Sequence, residues 1–122
     1  MKYMIMMFGS AEEMTQVQDE AWIGEMIGEM IQIDVDLRDS GEMVFNAGLA
    51  DGSTARLVRN NPGGAPIVTD GPFSEAKESL IGFWILDVAS DERLVEICAR
   101  IVKYSQVVEV RPLGVEPEVG EP

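Results

Sequence analysis

The residues best suited to chemistry lie in one short stretch near the middle of the chain. Asp70-Gly71-Pro72-Phe73 is typical of a tight turn, and Lys77 and Glu78 follow it closely. If the turn opens onto a pocket, Asp70 is a candidate base there, and Lys77 could orient an anionic substrate. Each of these residue types also has a purely structural explanation as part of a turn, in which Phe73 packs into the core. We favour this structural interpretation and keep the functional one open.

Two further candidates lie on predicted strands. Arg111 could bind a ligand carboxylate, or it could pair with Glu78 or Asp70 inside the fold. We favour the internal pair, because an unpaired buried charge is costly. Trp84 could line a ligand cavity, although a core position is favoured for it. No catalytic residue is assigned, and the candidate ligand-binding residues are Asp70, Phe73, Lys77, Glu78, Trp84 and Arg111.

Composition excludes several kinds of chemistry and partner. The chain has no His, which removes Ser–His and Cys–His pairs, histidine metal ligands and the usual haem ligand. It has 22 acidic and 9 basic residues, and the net charge of −13 argues against nucleic acid and anionic membranes. No apolar stretch approaches the ~18 residues of a membrane span. With only Cys98 and no disulfide partner, we expect a cytoplasmic protein without metal or cofactor.

Hydrophobic periodicity and turn residues predict two helices among several strands. A capping-box pattern at Ser10 to Glu13 predicts a helix start, and Gly41 predicts its end after about Asp39. A break near residues 16–20 is allowed because this helix is long for a small domain. A second helix should run from Ser90 or Asp91 to about Lys103. Strands are predicted at 2–8, 43–49, 55–59, 67–69, 81–88 and 107–111.

The first predicted helix carries a short repeat and most of the acidic charge. Gly24 to Ile27 repeats as Gly28 to Ile31, which aligns methionines along one side of the helix. A packed amphipathic helix is the favoured interpretation, and a methionine-rich ligand surface is the alternative. The stretch from Glu12 to Glu42 holds ten acids and one base.

This order of elements is that of an α+β fold, the ferredoxin-like split βαβ plan with an antiparallel sheet. Two helices can cover only one face of the sheet, yet the strands at 2–8 and 81–88 are apolar on both faces. A second copy packed sheet to sheet is the simplest cover, so we expect a homodimer. We expect one domain over 1–113 and an acidic flexible tail over 114–122.

Residues 68–83 read VTDGPFSEAKESLIGF and resemble the DGPF-domain proteins, a branch of the YCII-related family. Lys2-Tyr3-Met4 and Val108 to Pro112 agree with the resemblance, which spans about 1–113. It implies a ferredoxin-like fold that dimerises through its sheets as a dimeric α+β barrel. Some YCII-like relatives resemble lactone dehalogenases or lyases that use a His–Asp pair, but this chain lacks the His. DGPF proteins are often associated with extracytoplasmic-function sigma factors, which implies a regulatory or accessory role.

We therefore expect a homodimeric small-molecule-binding or regulatory accessory protein, with a small anionic ligand as one partner. Two alternatives stay open. One is a cofactor-free lyase or isomerase that acts on a small anionic substrate in the barrel cavity, with Asp70 as the base. The other is a protein-interaction module linked to sigma-factor regulation, which would present its acidic helix to a basic partner.

Overall fold

A computed structural model describes residues 1–9, 18–73 and 79–114, and the structural statements below concern that part of the chain. Gly52–Thr54 forms a short 3-10 turn. The helices and strands are, in order, β1 (Lys2–Gly9), α1 (Glu20–Ser40), β2 (Met43–Gly48), β3 (Arg56–Arg59), β4 (Ile67–Asp70), β5 (Ser79–Asp87), α2 (Asp91–Ser105) and β6 (Glu109–Pro112).

Four strands form the main sheet, and the remaining two form a separate hairpin. The main sheet has the order β2-β5-β1-β6, and every neighbouring pair in it is antiparallel. Within the described residues, this order and the two helices are those of the split βαβ plan, which confirms the predicted α+β, ferredoxin-like class. Strands β3 and β4 pair only with each other, and most of their side chains are exposed.

Helix α1 begins later than the capping box predicts. Its N-cap is Asp19, whose carboxylate accepts a hydrogen bond from the Trp22 backbone N–H at 2.8 Å. One continuous helix from Ser10 is therefore wrong, and the interruption falls within the break allowed at 16–20. The Ser10 to Glu13 pattern itself lies outside the described residues. The predicted end is confirmed, because Gly41 has φ 80 and its N–H reaches the Arg38 carbonyl at 3.1 Å.

Helix α2 matches its predicted start and extends two residues past its predicted end. The Ser90 side chain accepts from the Arg93 backbone N–H at 3.1 Å, which caps the helix. The last helical residue is Ser105, and Gln106 follows with φ 72. Because the chain must turn after this residue, β6 begins only at Glu109.

The core lies on one side of the sheet, beneath both helices. Its fully buried side chains are Ile5, Ile33, Leu37, Leu86 and Ile101. The register pairs Ile5 with Trp84 and therefore places Met4 and Ile85 on the opposite face. Phe45 also lies on that face, because it pairs with Ile85, and it is 56% exposed. Both faces of β1 and β5 are thus apolar, as predicted, and the helices cover only one of them.

Candidate functional site

The chain bends after β4 as predicted, and Asp70 and Phe73 both lie exposed at the surface. Asp70 ends β4 opposite Arg56 and is exposed. Gly71 has φ 101, which confirms that the turn needs a glycine there. Phe73 is 87% exposed, so the expectation that it plugs the core is wrong for this single chain.

The described candidates do not meet at one place. Trp84 lies on the helix-covered face of β5, because it pairs with the buried Ile5. Arg111 pairs with Met4 and so lies on the opposite face, at the edge strand β6. Asp70 belongs to the separate hairpin and forms no ion pair with Arg111, so of the two internal partners predicted for Arg111 only Glu78 stays open. Lys77 and Glu78 lie outside the described residues.

A different group of residues surrounds a cleft between α1 and the sheet, which we call the Asp34 cleft. Its volume is about 190 Å³. Gly48 and Gly82 stand directly opposite each other on β2 and β5, on the helix-covered face, so the sheet has no side chains at this point. This gap explains the cleft, since any pair of larger residues would fill it. The lining residues are Met7, Met30, Asp34, Asn46, Ala47, Gly48, Ile81, Gly82, Phe83 and Trp84.

Two side chains of the sheet hold the carboxylate of Asp34. The indole Nε1–H of Trp84 donates to Oδ1 at 3.0 Å, and Nδ2 of Asn46 donates to Oδ2 at 2.9 Å. Asn46 and Trp84 are register partners on β2 and β5, so the sheet presents both donors side by side. Arg38 makes only a 3.5 Å contact to Asn46 Oδ1. Both donors are neutral, and the bonds therefore orient the carboxylate without cancelling its charge.

Asp34 and Asn46 are not among the residues predicted from the sequence, although α1 carries a signal for Asp34. Asp34 lies four residues after Met30 and three before Leu37, which places it on the inward stripe of the helix. An acidic side chain among inward-facing apolar residues needs a hydrogen-bonding or charged partner, so its position in the sequence indicates a polar contact there. Met30 packs on the core, as the favoured interpretation of the methionine stripe predicts, and it also lines the cleft; the methionine-rich ligand surface stays a prediction.

The described residues show little support for other chemistries. Burial raises the pKa of the Cys98 thiol, which therefore stays protonated and poorly nucleophilic at neutral pH. The described residues contain no group of three or more Cys, Asp or Glu side chains that could hold a metal ion. Across the same ranges, no helix is both long and apolar enough to cross a membrane.

Comparison with known proteins identifies the family. The model of the YCII-related domain matches residues 1–114, so this chain belongs to the YCII-related family, as its resemblance predicted. An uncharacterised protein of Rhizobium meliloti is 35% identical over 65 residues. That alignment covers 51% of this chain and 52% of the relative, so the chain spans about half the length of the curated relative it matches.

Proposed function

We propose that this YCII-related protein is a homodimer that binds a small molecule in the Asp34 cleft and has a regulatory or accessory role. The observation that carries the proposal is a carboxylate, oriented by two side-chain donors, at the wall of a cleft that the facing glycines Gly48 and Gly82 leave open. Binding pockets commonly combine such an apolar cavity with a few placed polar groups.

A purely structural role explains Asp34 poorly. Trp84 is 6% exposed, and its indole N–H needs an acceptor, which a backbone carbonyl or a neutral side chain could supply. A partly buried carboxylate with no arginine or lysine of the described chain in direct ion-pair contact costs more than either of those acceptors. A ligand in the cavity that interacts with the Asp34 carboxylate would offset this cost.

The uncovered face of the sheet supports the homodimer. It presents Met4, Ile85 and the 56%-exposed Phe45. Monomeric proteins rarely leave such an apolar patch exposed to water. Its β6 edge carries Glu109 and Arg111, which pair with Met6 and Met4 on β1. In a two-fold interface the same surface meets itself, so the acid of one copy can pair with the arginine of the other. This gives Arg111 a role in assembly that fits its exposure on this face.

Native mass spectrometry of freshly purified protein tests both parts of the proposal. We expect a complex of twice the chain mass, with additional mass that disappears on denaturation. The Asp34→Asn variant should lose that additional mass and keep the dimer. Asp39→Asn is the matched control, because it removes the same charge from an exposed position of the same helix. A monomer at micromolar concentration contradicts the dimer, and a molecule retained equally by Asp34→Asn contradicts the cleft.

The same carboxylate favours one second candidate, a cofactor-free enzyme with acid–base chemistry. Asp34 is better placed than Asp70 to act as its base, because Asp34 lines a cavity and Asp70 is exposed on a hairpin. If the retained molecule is turned over, Asp34→Asn should abolish turnover while the Asp70→Asn variant stays active. The opposite result would restore Asp70 as the candidate base.

A further inference from the structure

We infer that the Asp34 cleft selects small organic cations, specifically ammonium ions that carry one compact apolar substituent. The inference rests on the proposed function, because it names the ligand class for the same cleft. It differs from the anionic ligand expected from Asp70, Lys77 and Arg111: Asp70 and Arg111 do not line this cavity, and Lys77 lies outside the described residues.

The first argument is the charge of the lining. Asp34 is the only ionisable residue among the described residues that line the cleft. No Lys or Arg nitrogen of the described chain lies within ion-pair distance, 4.0 Å, of its carboxylate. The acidic residues that do have arginine partners in the described chain lie elsewhere; they are Glu29, Asp36, Glu42 and Glu96. The cleft therefore has a net negative charge that an ammonium group would neutralise.

The second argument is the remaining hydrogen-bonding capacity. Each carboxylate oxygen has two lone pairs and here accepts one side-chain bond, from Trp84 or from Asn46. One acceptor direction on each oxygen is thus left for a ligand donor. An ammonium group has several N–H donors and no acceptor, so it matches these sites, and such charge-assisted bonds are the stronger kind. A ligand carboxylate would instead place two anions against each other.

The third argument is the chemistry of the other walls. The other walls include the largely apolar indole of Trp84 and the thioethers of Met7 and Met30, which are polarisable weak acceptors. These groups favour a cation with an apolar substituent over a strongly hydrated metal ion. The volume of about 190 Å³ lies below the ~300–1,000 Å³ of drug-sized pockets, which restricts the substituent to a compact one.

The test compares three probes of nearly equal shape: butylammonium, butanol and butyrate. A Trp22→Phe variant leaves Trp84 as the only tryptophan, and its fluorescence reports on the cleft. The replacement keeps an aromatic ring against Tyr104, whose centroid lies 5.6 Å from that of Trp22. We expect butylammonium to bind about tenfold more tightly than butanol, and butyrate to bind more weakly than either.

The acidic surface of the protein attracts any cation. Three variants of the Trp22→Phe protein therefore distinguish binding in the cleft from binding at this surface. Asp34→Asn should bring butylammonium and butanol to within about threefold of each other, while Asp39→Asn should leave the tenfold preference intact. Gly48→Leu should block every probe and keep the Asp34 charge. A side chain at this position is tolerable, because a Cβ built on Gly48 meets nothing within 4 Å. Circular dichroism confirms that each variant is folded.

Each outcome decides the inference. Butanol or butyrate binding as tightly as butylammonium overturns the preference for cations, and the proposed function survives if Gly48→Leu blocks that binding. Butylammonium binding that persists in both Asp34→Asn and Gly48→Leu shows surface attraction and also overturns the inference. Failure of all three probes up to millimolar concentration overturns it as well. The proposed function is then judged separately, by whether native mass spectrometry finds a molecule retained through Asp34.

Discussion

The contact between Glu42 and Arg93 gives the most direct test of how charge stabilises this fold. Glu42 follows the end of α1, and Arg93 lies in the first turn of α2. Arg93 donates to the Glu42 carboxylate through Nη2 at 2.9 Å and through its single Nε–H, which is shared between the two carboxylate oxygens at 3.0 and 3.2 Å. It also donates a single bond to Glu96, at 3.1 Å. One arginine thus pairs with two carboxylates in different environments.

The difference in exposure sets the expected magnitudes. The Glu42 side chain is 15% exposed, whereas that of Glu96 is 66% exposed and therefore more strongly screened by water. Charged hydrogen bonds contribute about 1.5–3 kcal/mol, but Arg93 is 39% exposed, so solvent reduces this contribution. We expect Glu42→Gln to lower the free energy of unfolding by about 1–2 kcal/mol. Glu96→Gln should cost less than about 0.5 kcal/mol.

Urea denaturation followed by circular dichroism measures both variants. Protein concentration must be held constant, because dimerisation would make the apparent stability depend on it. The 1–2 kcal/mol loss corresponds to a Tm decrease of about 3–8 °C for a domain of this size. Glu42→Gln combined with Arg93→Gln completes a double-mutant cycle, whose coupling energy should be about 1 kcal/mol.

Two results would refute the reasoning. If Glu42→Gln and Glu96→Gln destabilise the protein equally, exposure does not decide the strength of these pairs. If the cycle shows no coupling between Glu42 and Arg93, any loss in the single variants comes from another cause, such as altered helix ends.

Further predictions concern pH, the thiol, the core and the uncovered sheet face. The bonds from Arg93 hold the pKa of Glu42 below its ordinary value of 4.5, so the pair stabilises the fold above that pH. Unfolding curves from pH 7 to pH 3 should show this advantage over Glu42→Gln disappear as the pH falls through the lowered pKa. Because burial raises the pKa of the Cys98 thiol, iodoacetamide at pH 8 should modify native protein more slowly than urea-unfolded protein; equal rates would contradict this. Ile101 is fully buried, and Ile101→Ala should cost about 2–5 kcal/mol in urea denaturation, a smaller loss showing that the core repacks. Phe45→Glu should convert the proposed dimer to monomer in sedimentation, whereas Val95→Glu, at a 65%-exposed position on α2, should not; a Phe45→Glu dimer contradicts the proposed interface.

The elements of the fold could be predicted because their signals are local. The periodicity of Leu94, Ile97 and Ile101 identifies α2, and Gly41 marks the end of α1 through its positive φ. The continuous apolar runs of β1 and β5 indicate strands with two covered faces. The start of α1 was harder to predict, because one acidic stretch contains two signals for a helix start, a capping pattern at Ser10 and the cap at Asp19.

The candidate site could not be predicted in the same way, because its parts are distant in sequence. Asp34 lies 12 residues from Asn46 and 50 from Trp84, and their contacts require the register of β2 on β5 and the packing of α1 on the sheet. The Asp70 to Phe73 turn was the most distinctive local motif, and it lies on an exposed hairpin.

The sequence by itself determined the elements, their order, the two apolar faces of the central strands and the family, since each depends on residue type and short-range spacing. The tertiary structure alone decided which carboxylate stands beside a cavity. Hydrogen bonds from Trp84 and Asn46 orient Asp34, and the facing glycines Gly48 and Gly82 leave the space in front of it. Both features arise only when strands adopt one register and a helix packs across them, which no local pattern of residues specifies.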